Sequence, residues 1–416
     1  MSFDNLGLHP NILKGIHDLG FRQPTPVQAE SIPPIMAGRD VIATAQTGTG
    51  KTAAFVLPVL HKLLSNPAKR KGIRTLIVAP TRELALQSMD HLKSLSRYVP
   101  LKGHAIFGGV PMEPQIRALH QGLDIISATP GRLLDHVYSG RIDFGALEVL
   151  VLDEADRMMD MGFLPDIKKI ISLLPPKRQN LIFSATMPEE IMKLAKTMCH
   201  DPVTVQIGTK TTTPVGIRQA MYPVPHDQKT ELLLRLLSDN TEMASVIVFT
   251  RTKSRADRLA QTLERAGVSI SVIHGDRSQN QRDRALDHFR RGKSQLLVAT
   301  DVAARGIDVK DITHVINFDV PQTPEDYIHR MGRTARAQAT GDAFTLVAPD
   351  EEEMVREIER VINLRLPRVT LPDFQYRQGS FRSAGGHHKP SHRPGGGSRG
   401  GRPGQGGGSG QHRRYR

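Results

Sequence analysis

Two consecutive α/β domains, each built on a parallel sheet, and a disordered basic tail are the organisation that this 416-residue sequence predicts. The chain is longer than one ordinary domain and suits two. Short apolar runs alternate twice over with longer amphipathic stretches, as expected of parallel strands that helices cover on both faces. From Gly379 onwards the composition changes to Gly, Arg, Ser, Pro, Gln and His, which cannot form a core.

The apolar runs predict two sets of five strands. The first set covers residues 41–45, 75–79, 124–127, 149–152 and 180–183, and the second covers 245–249, 270–273, 295–299, 314–317 and 343–347. Between the sets lies a small, polar, Gly/Pro-flanked stretch typical of an interdomain linker. The predicted boundaries are therefore 1–207 for the first domain, 208–216 for the linker, 217–373 for the second domain and 374–416 for the tail.

Charge is concentrated at the carboxyl end of the chain. Residues 374–416 carry nine Lys or Arg and no Asp or Glu, so removing them leaves 47 basic against 42 acidic residues. A flexible basic tail is suited to a polyanion such as RNA. The single cysteine, Cys199, excludes an internal disulfide framework. No apolar run approaches the roughly 18 residues of a membrane span, and no secretion signal precedes Phe3, so a cytoplasmic protein without membrane contact is expected.

A phosphate-binding loop follows the first predicted strand. Its residues are Ala45-Gln46-Thr47-Gly48-Thr49-Gly50-Lys51-Thr52. Glycines allow the backbone N–H groups to curl toward phosphate oxygens, and a following helix N-terminus adds a favourable field. Lys51 is suited to the terminal phosphates and the Thr52 hydroxyl to Mg²⁺. The usual first glycine of the pattern is replaced by Ala45, so the loop alone is a moderately specific indication of ATP.

Acidic residues supply the second feature of a nucleotide site. The apolar run 149–152 is followed by Asp153-Glu154-Ala155-Asp156. The carboxyl end of a buried parallel strand is where such sheets bind ligands. Asp153 is predicted to hold Mg²⁺, and Glu154 is predicted to act as the base for the attacking water.

Asp153–Asp156 spells DEAD, and the chain resembles the DEAD-box RNA helicases from Phe3 to about residue 365, with motifs in that family's order. The short N-terminal lead and the Gly/Arg-rich tail are most similar to the bacterial RhlE-type branch. The resemblance implies two tandem RecA-like domains that close over ATP, Mg²⁺ and RNA. It also implies an RNA-stimulated ATPase that opens short duplexes and remodels RNA or RNA–protein complexes.

Residues 20–28 match the family's Q motif, which recognises the adenine of ATP. A Gln amide can pair with the N6 and N7 edge of adenine, so Gln28 is predicted to select ATP over GTP. The resemblance places Phe21 and Gln23 beside the same base.

Other segments match the family's RNA-binding and coupling motifs. The residues that the resemblance assigns to the RNA backbone are Pro80, Thr81, Arg82, Gly109, Thr129, Pro130, Gly131, Arg132, Arg251, Thr300 and Arg305. Those assigned to coupling between the two sites are Asp156, Ser184, Thr186, His329 and Arg330, with the hydroxyls of Ser184 and Thr186 expected to hydrogen-bond Asp156. Residues 279–282 resemble a bracing motif.

The second domain is expected to complete the ATP site. By the resemblance, Asp308 contacts the nucleotide, and Arg333 and Arg336 act as arginine fingers. If residues 329–336 are helical, His329, Arg333 and Arg336 share one face and present two guanidinium groups to a γ-phosphate.

Three alternatives remain at this stage. A DNA helicase is an enzyme of the same class, and dependence on the 2′-OH distinguishes it. An ATP-gated RNA clamp or annealing chaperone with little unwinding is the second alternative, and a non-catalytic clamp would need a damaged Lys51, Glu154 or Arg336, all of which are intact. A small-molecule P-loop kinase would leave the second domain's motifs unexplained. The sequence does not identify the RNA target, the oligomeric state, or whether protein partners belong to ribosomal precursors or to RNA decay.

Overall fold

The computed structural model describes residues 2–46, 48–66, 72–207, 216–304, 309, 312–334 and 341–377. The described residues lie in one compact unit that contains two sheets, one in each predicted domain. Residues 378–416, which include most of the predicted tail, lie outside the described part, as does most of the predicted linker.

The first domain contains a parallel sheet with helices on both faces. Its strands are β1 (Val41–Thr44), β2 (Thr75–Val78), β3 (Gly103–Ile106), β4 (Ile125–Ala128), β5 (Val149–Asp153), β6 (Gln179–Ser184) and β7 (Val203–Gln206). Its helices are α1 (Pro10–Asp18), α2 (Pro26–Met36), α3 (Lys51–Ser65), α4 (Arg82–Leu95), α5 (Glu113–His120), α6 (Pro130–Tyr138), α7 (Ala155–Asp160), α8 (Leu164–Ser172) and α9 (Glu189–Met198). Across the described residues the strand order is β3-β4-β2-β5-β6-β1-β7, which places β6 between β1 and β5.

The second domain repeats this plan. Its strands are β8 (Ile217–Pro223), β9 (Val246–Thr250), β10 (Ile270–Ile273), β11 (Leu296–Thr300), β12 (His314–Asn317) and β13 (Gly341–Val347). Its helices are α10 (Lys229–Asp239), α11 (Lys253–Arg265), α12 (Gln279–Arg290), α13 (Asp301–Ala304), α14 (Pro324–Met331) and α15 (Glu352–Ile362). The described strands are parallel, in the order β10-β11-β9-β12-β13-β8.

Apolar side chains on both faces of the central strands explain the layered arrangement. In β5, Val149 and Val151 belong to one core cluster, whereas Leu150 and Leu152 belong to the other, because alternate side chains point to opposite faces. Strand β9 divides in the same way between the two clusters of the second domain. The chemistry-bearing loops therefore follow the carboxyl ends of strands that are held rigidly from both sides.

The two tandem α/β domains with parallel sheets are confirmed. Each of the ten predicted strands is present, with ends that shift by no more than two residues. Three strands were not predicted: β3, β7 and β8. Both β3 and β7 lie at edges of the first sheet and β8 lies at an edge of the second, and their side chains are only partly buried.

The packed part of the second domain extends past the predicted boundary at residue 373. Phe374 is buried, and its ring lies 4.8 Å from that of Tyr376 in an edge-to-face contact. The Gln228 side chain donates to the Gln375 carbonyl (2.9 Å) and accepts from the Arg377 N–H (2.8 Å). Upstream, the Met221 N–H donates to the Pro367 carbonyl, so residues 367–369 run beside β8. The domain therefore continues through Arg377.

No helix in the described ranges combines the length and the apolar composition that crossing a membrane requires.

Candidate active site and RNA interface

The phosphate-binding loop connects β1 to the N-terminus of α3. Gly48 and Gly50 have φ angles of 84° and 92°, a left-handed conformation that favours glycine. The Thr49 hydroxyl donates to the Gln46 carbonyl (2.7 Å), and the Lys51 ammonium donates to the Ala45 carbonyl (2.6 Å). Two side chains of the loop thus donate to carbonyl groups of the same loop, and Lys51 is buried at the start of α3. Thr47, which was predicted to belong to the loop, lies outside the described residues.

Gln28 joins the predicted adenine-binding segment to this loop. Its Oε1 accepts from the Thr25 N–H (3.0 Å) at the start of α2, and its Nε2 donates to the Gly50 carbonyl (3.1 Å). An amide oxygen has a second lone pair and an amide nitrogen a second hydrogen, so Gln28 retains one donor and one acceptor for an adenine edge. Phe21 and Gln23 are exposed at the same end of the domain.

The two predicted catalytic acids lie where β5 ends. Burial, then the neighbouring Glu154 carboxylate, raise the pKa of Asp153 to about 7, while Lys51 acts in the opposite direction. A buried carboxylate beside another acid fits a divalent cation, which would supply the missing positive charge. Thr52 follows Lys51 on α3 and is half-buried, so its hydroxyl fits the same cation.

Glu154 has an unusual backbone. Its φ of 54° and ψ of 55° are left-handed, which costs roughly 1–3 kcal/mol for a residue other than glycine. Its carboxylate lies 3.4 Å from the Nε of Arg157, a fully buried side chain on α7. Strain of this kind aims a side chain away from the strand direction. Here it separates the orientation of Glu154 from that of Asp153.

The end of β6 is hydrogen-bonded to the acidic segment. The Asp156 carboxylate accepts from the Thr186 hydroxyl (2.9 Å), the Thr186 N–H (2.7 Å) and the Ala185 N–H (3.2 Å). The Ser184 hydroxyl accepts from the Asp156 N–H (3.0 Å), so it contacts the backbone rather than the carboxylate. Burial opposes ionisation of Asp156, but His329, then Lys51 and these hydrogen bonds, outweigh it, and the pKa of Asp156 is lowered.

Helix α14 of the second domain brings its carboxyl end to this acidic segment. Burial, then the positive charge of Arg157, lower the pKa of His329 well below its usual value. Arg157, His329 and Arg333 line one small cavity at the domain boundary. The Arg330 guanidinium is held by both oxygens of Asp301 (2.7 and 2.8 Å) and fixes α14 to the end of β11.

The condition that residues 329–336 form one helix is not met as far as Thr334. Helix α14 ends at Met331, and the N–H of Arg333 donates to the Arg330 carbonyl in a tighter turn. Arg333 therefore does not follow His329 at helical spacing, although it is buried beside it, with its Nε directed to the His329 carbonyl (3.3 Å). Gly332, which follows the last helical residue, has a φ of −65° and a ψ of 5°, so the chain leaves the helix through a right-handed turn. Arg336, Arg305 and Asp308 lie outside the described residues.

The predicted RNA contacts of the first domain follow three neighbouring strand ends. Thr81 caps α4, Thr129 precedes α6, and Gly109 has a φ of 78° in an exposed turn after β3. Gly131 is exposed at the start of α6, and Pro80 and Pro130 are buried beneath these turns. In the second domain, Thr300 is buried at the end of β11. These positions offer hydroxyls and backbone N–H groups, which suit phosphates and carry no base information.

The three predicted RNA-binding arginines that are described all have protein partners. Arg132 donates to the Val110 carbonyl (3.0 Å), Arg251 donates to Glu351 (3.0 Å), and Arg82 donates to Asp283 (3.0 Å). The Arg82 guanidinium also stacks on the Phe107 ring at 4.6 Å. Each guanidinium has five donors, so these contacts fix its position without exhausting its hydrogen-bonding capacity.

Two reciprocal ion pairs join the domains across the cleft. Arg82 on α4 contacts Asp283 on α12, and the next residue, Glu83, lies 2.8 Å from Arg282. Arg82 and Glu83 are consecutive on α4, and Arg282 and Asp283 are consecutive on α12. The two helix starts therefore carry complementary charges. The sequence placed Arg82 on RNA and assigned residues 279–282 to bracing, but it did not indicate which residues pair. Charge order alone could have suggested that pairing.

The cleft also holds a cavity of about 1070 Å³. The first domain contributes Thr186 and Met187 after β6, and the second contributes Arg251, Asp301 and the start of α14. Residues of both domains therefore face one another around the coupling segment.

Comparison with known proteins agrees with this geometry. A DEAD/DEAH box helicase model matches residues 25–194, and a helicase conserved C-terminal domain model matches residues 228–338. The DEAD-box ATP-dependent RNA helicase CshA of Geobacillus kaustophilus (strain HTA426) is 43% identical over 371 residues, which cover 89% of this chain and 79% of the relative. The DEAD-box ATP-dependent RNA helicase RhpA of Helicobacter pylori (strain B128) is 41% identical over 377 residues, covering 91% and 76%.

The solved structure of S. cerevisiae Dbp5 bound to RNA and ADP BeF3 superposes with a TM-score of 0.81 at 31% identity. The match covers 89% of this chain and 96% of that one. Both domains are included in the match, so the arrangement across the cleft is similar to that of a relative holding RNA and a nucleotide. The chain belongs to the DEAD-box ATP-dependent RNA helicases.

Proposed function

We propose that this protein is an RNA-stimulated ATPase that closes over RNA between its two domains. ATP binding and hydrolysis then open short duplexes and remodel RNA or RNA–protein complexes. The observation that carries the proposal is the split site, in which the phosphate loop and acids of the first domain face His329 and Arg333 of the second. Neither half alone surrounds a triphosphate.

The nucleotide is held by the first domain. Gln28 and Phe21 contact the base, and the loop before α3 surrounds the phosphates with backbone N–H groups. Lys51 exchanges its contact with the Ala45 carbonyl for a terminal phosphate oxygen, and Glu154 accepts a proton from the attacking water. We propose that Thr52 and Asp153 hold Mg²⁺, partly through water, and that this ion supplies neutralising charge to the phosphates when it is bound.

Closure couples the two ligands. Arg333 reaches the developing charge on the γ-phosphate only when α14 lies on the acidic segment. The same closure forms the Arg82–Asp283 and Glu83–Arg282 pairs beside the RNA-binding turns. RNA that bridges these turns therefore favours the conformation that hydrolyses ATP, and hydrolysis removes the ligand that stabilises the closed form.

RNA will stimulate ATP turnover much more than DNA of the same sequence and length. The physical reason is that backbone recognition at these turns can distinguish the 2′-OH, whereas it does not identify bases. The measurement is steady-state ATP hydrolysis at saturating polymer, with both polymers compared at equal binding occupancy. Equal stimulation by DNA would remove RNA as the specific partner and favour a DNA helicase.

Gln28→Ala will reduce the preference for ATP over GTP. The variant loses the donor and the acceptor that face the adenine edge, and it also loses the contacts with Thr25 and Gly50. Competition between ATP and GTP in the hydrolysis assay measures the ratio of kcat/KM values. Ser88→Ala, another buried polar change in the first domain, serves as a control. An unchanged ratio in Gln28→Ala would show that Gln28 is only structural.

We also propose the finer assignments that composition and motifs support. The Gly/Arg-rich composition from Gly379 onwards favours the RhlE-type branch, although the relatives above carry the names CshA and RhpA. The charge and cysteine pattern favours the cytoplasm, with protein partners in ribosomal precursors or RNA decay. Crosslinking in cells, followed by sequencing of bound RNA and identification of co-purified proteins, tests the assignment to ribosomal precursors or to RNA decay.

A further inference from the structure

A buried ion pair lies in the second domain outside the motifs discussed above. Lys229 at the start of α10 and Glu351 before α15 are 0% and 1% exposed. The Lys229 Nζ lies 2.5 Å from a Glu351 oxygen and also donates to the Phe318 carbonyl (2.9 Å). Removing two charges from water offsets most of their mutual attraction, so such a pair contributes little net stability by itself.

Glu351 connects this pair to Arg251, which was assigned to RNA. One oxygen of Glu351 accepts from Lys229 and from the Ala348 N–H (3.0 Å), and the other accepts from the Arg251 guanidinium (3.0 Å). With donors on both oxygens, the carboxylate cannot rotate without losing hydrogen bonds. Arg251 is therefore anchored to a side chain whose own orientation is fixed.

The backbone of Arg251 is fixed as well. Its N–H donates to the carboxylate of Asp319 (2.8 Å), which is fully buried and lies 3.2 Å from the Arg255 guanidinium. The Arg251 side chain is nevertheless 35% exposed and lines the cleft cavity with Thr300. The backbone and one side of the Arg251 guanidinium are thus held by the domain, and the rest of the guanidinium faces the cleft.

We propose that Glu351, with Lys229 as its buried counter-charge, is a positioning residue that holds Arg251 for RNA. This inference rests on the proposed function, in which Arg251 contacts the RNA backbone. Lys229 neutralises Glu351, so that the carboxylate fixes the geometry of Arg251 without cancelling the positive charge that the phosphate meets. The pair preorganises one phosphate contact before RNA arrives, which reduces the entropy lost on binding.

A double-mutant cycle tests the inference. Single-stranded RNA affinity is measured by fluorescence polarisation with a non-hydrolysable ATP analogue for wild type, Glu351→Gln, Arg251→Ala and the double variant. Glu351→Gln is expected to weaken RNA binding about tenfold, or about 1.4 kcal/mol, in the wild-type background. In the Arg251→Ala background it is expected to have almost no further effect, because the two residues act as a unit. Equal losses in both backgrounds would overturn the positioning role.

Two further variants separate positioning from folding. Lys229→Met combined with Glu351→Leu removes both charges with similar volume, a change that is often neutral for stability. It is expected to keep a normal melting transition and to lose RNA affinity as Glu351→Gln does, and wild-type affinity in this folded variant would contradict the inference. Asp342→Asn, which removes a carboxylate from the Arg218 pair in the same sheet, should leave RNA affinity unchanged. If Arg251→Ala itself binds RNA normally, the RNA role of Arg251 fails and the inference fails with it, whereas RNA-stimulated turnover would still stand.

Discussion

Glu154→Gln will retain ATP and RNA but lower ATP hydrolysis by at least about a hundredfold, the usual minimum for loss of a positioned base. Glutamine has the same shape, can still hydrogen-bond Arg157, and is no more strained than glutamate at a φ of 54°. Binding is therefore preserved while proton abstraction is lost. The measurements are single-turnover hydrolysis with saturating RNA and the lifetime of the RNA complex formed with ATP, which should lengthen.

Lys51→Ala provides the contrast, because it acts on binding. The variant removes the ammonium group that lies against the loop at the Ala45 carbonyl and is predicted to contact the terminal phosphates. Loss of a hydrogen bond to a charged group corresponds to about 1.5–3 kcal/mol, or roughly ten- to a hundredfold in nucleotide affinity. Titration with a fluorescent ATP analogue measures this nucleotide affinity.

Wild-type hydrolysis by Glu154→Gln would show that another group activates the water.

Arg282→Glu will reduce RNA-stimulated ATP turnover by about ten- to a hundredfold, because like charges facing each other across an interface cost several kcal/mol. In the closed form, Arg282 and Glu83 are both largely buried, so the repulsion is poorly screened. ATP affinity of the first domain should change little, since the phosphate loop is not involved.

The reversed pair tests whether charge is responsible. Combining Glu83→Arg with Arg282→Glu restores opposite charges and should recover about half of the lost free energy, the rest being lost to imperfect geometry beside Arg82 and Asp283. Arg291→Glu, at the exposed end of α12 and ion-paired within the described residues to Asp287 four positions earlier, is the matched control and should retain turnover. If the free-energy losses of the two single variants simply add up in the double variant, the pair does not drive closure.

The layered fold was predictable because its central strands are apolar on both faces, a pattern that few other structures produce. Strands β3, β7 and β8 were missed because they lie at sheet edges, where residues such as the half-buried His104 and the exposed Thr204 interrupt the pattern. Their existence depends on a neighbouring strand rather than on their own sequence. The sequence left open whether residues 329–336 are helical, since helical spacing alone does not show where a helix ends.

Some residues of the candidate site were predicted from the sequence, and their partners were not. Residues of the phosphate loop and the acidic segment were found because their chemistry requires those types at fixed spacing. Partners distant in sequence were not found, including Asp283 for Arg82 and Glu351 for Arg251. These pairs depend on how domains and strands come together, which a single sequence does not state. The structure therefore changes the interpretation of the arginines, from isolated RNA contacts to side chains held in place by carboxylates.

The segment 367–377 has a consequence for how the second domain can be divided. Without residues 367–369, β8 would present unpaired backbone groups along the outer side of the sheet, and such a bare edge recruits strands from other molecules. A fragment ending before Pro367 would therefore tend to self-associate. A fragment ending at Arg377 would keep the pairing at Met221 of β8, with Gln228 hydrogen-bonded to the last residues. The short stretch after α15 thus acts as a built-in protection against aggregation.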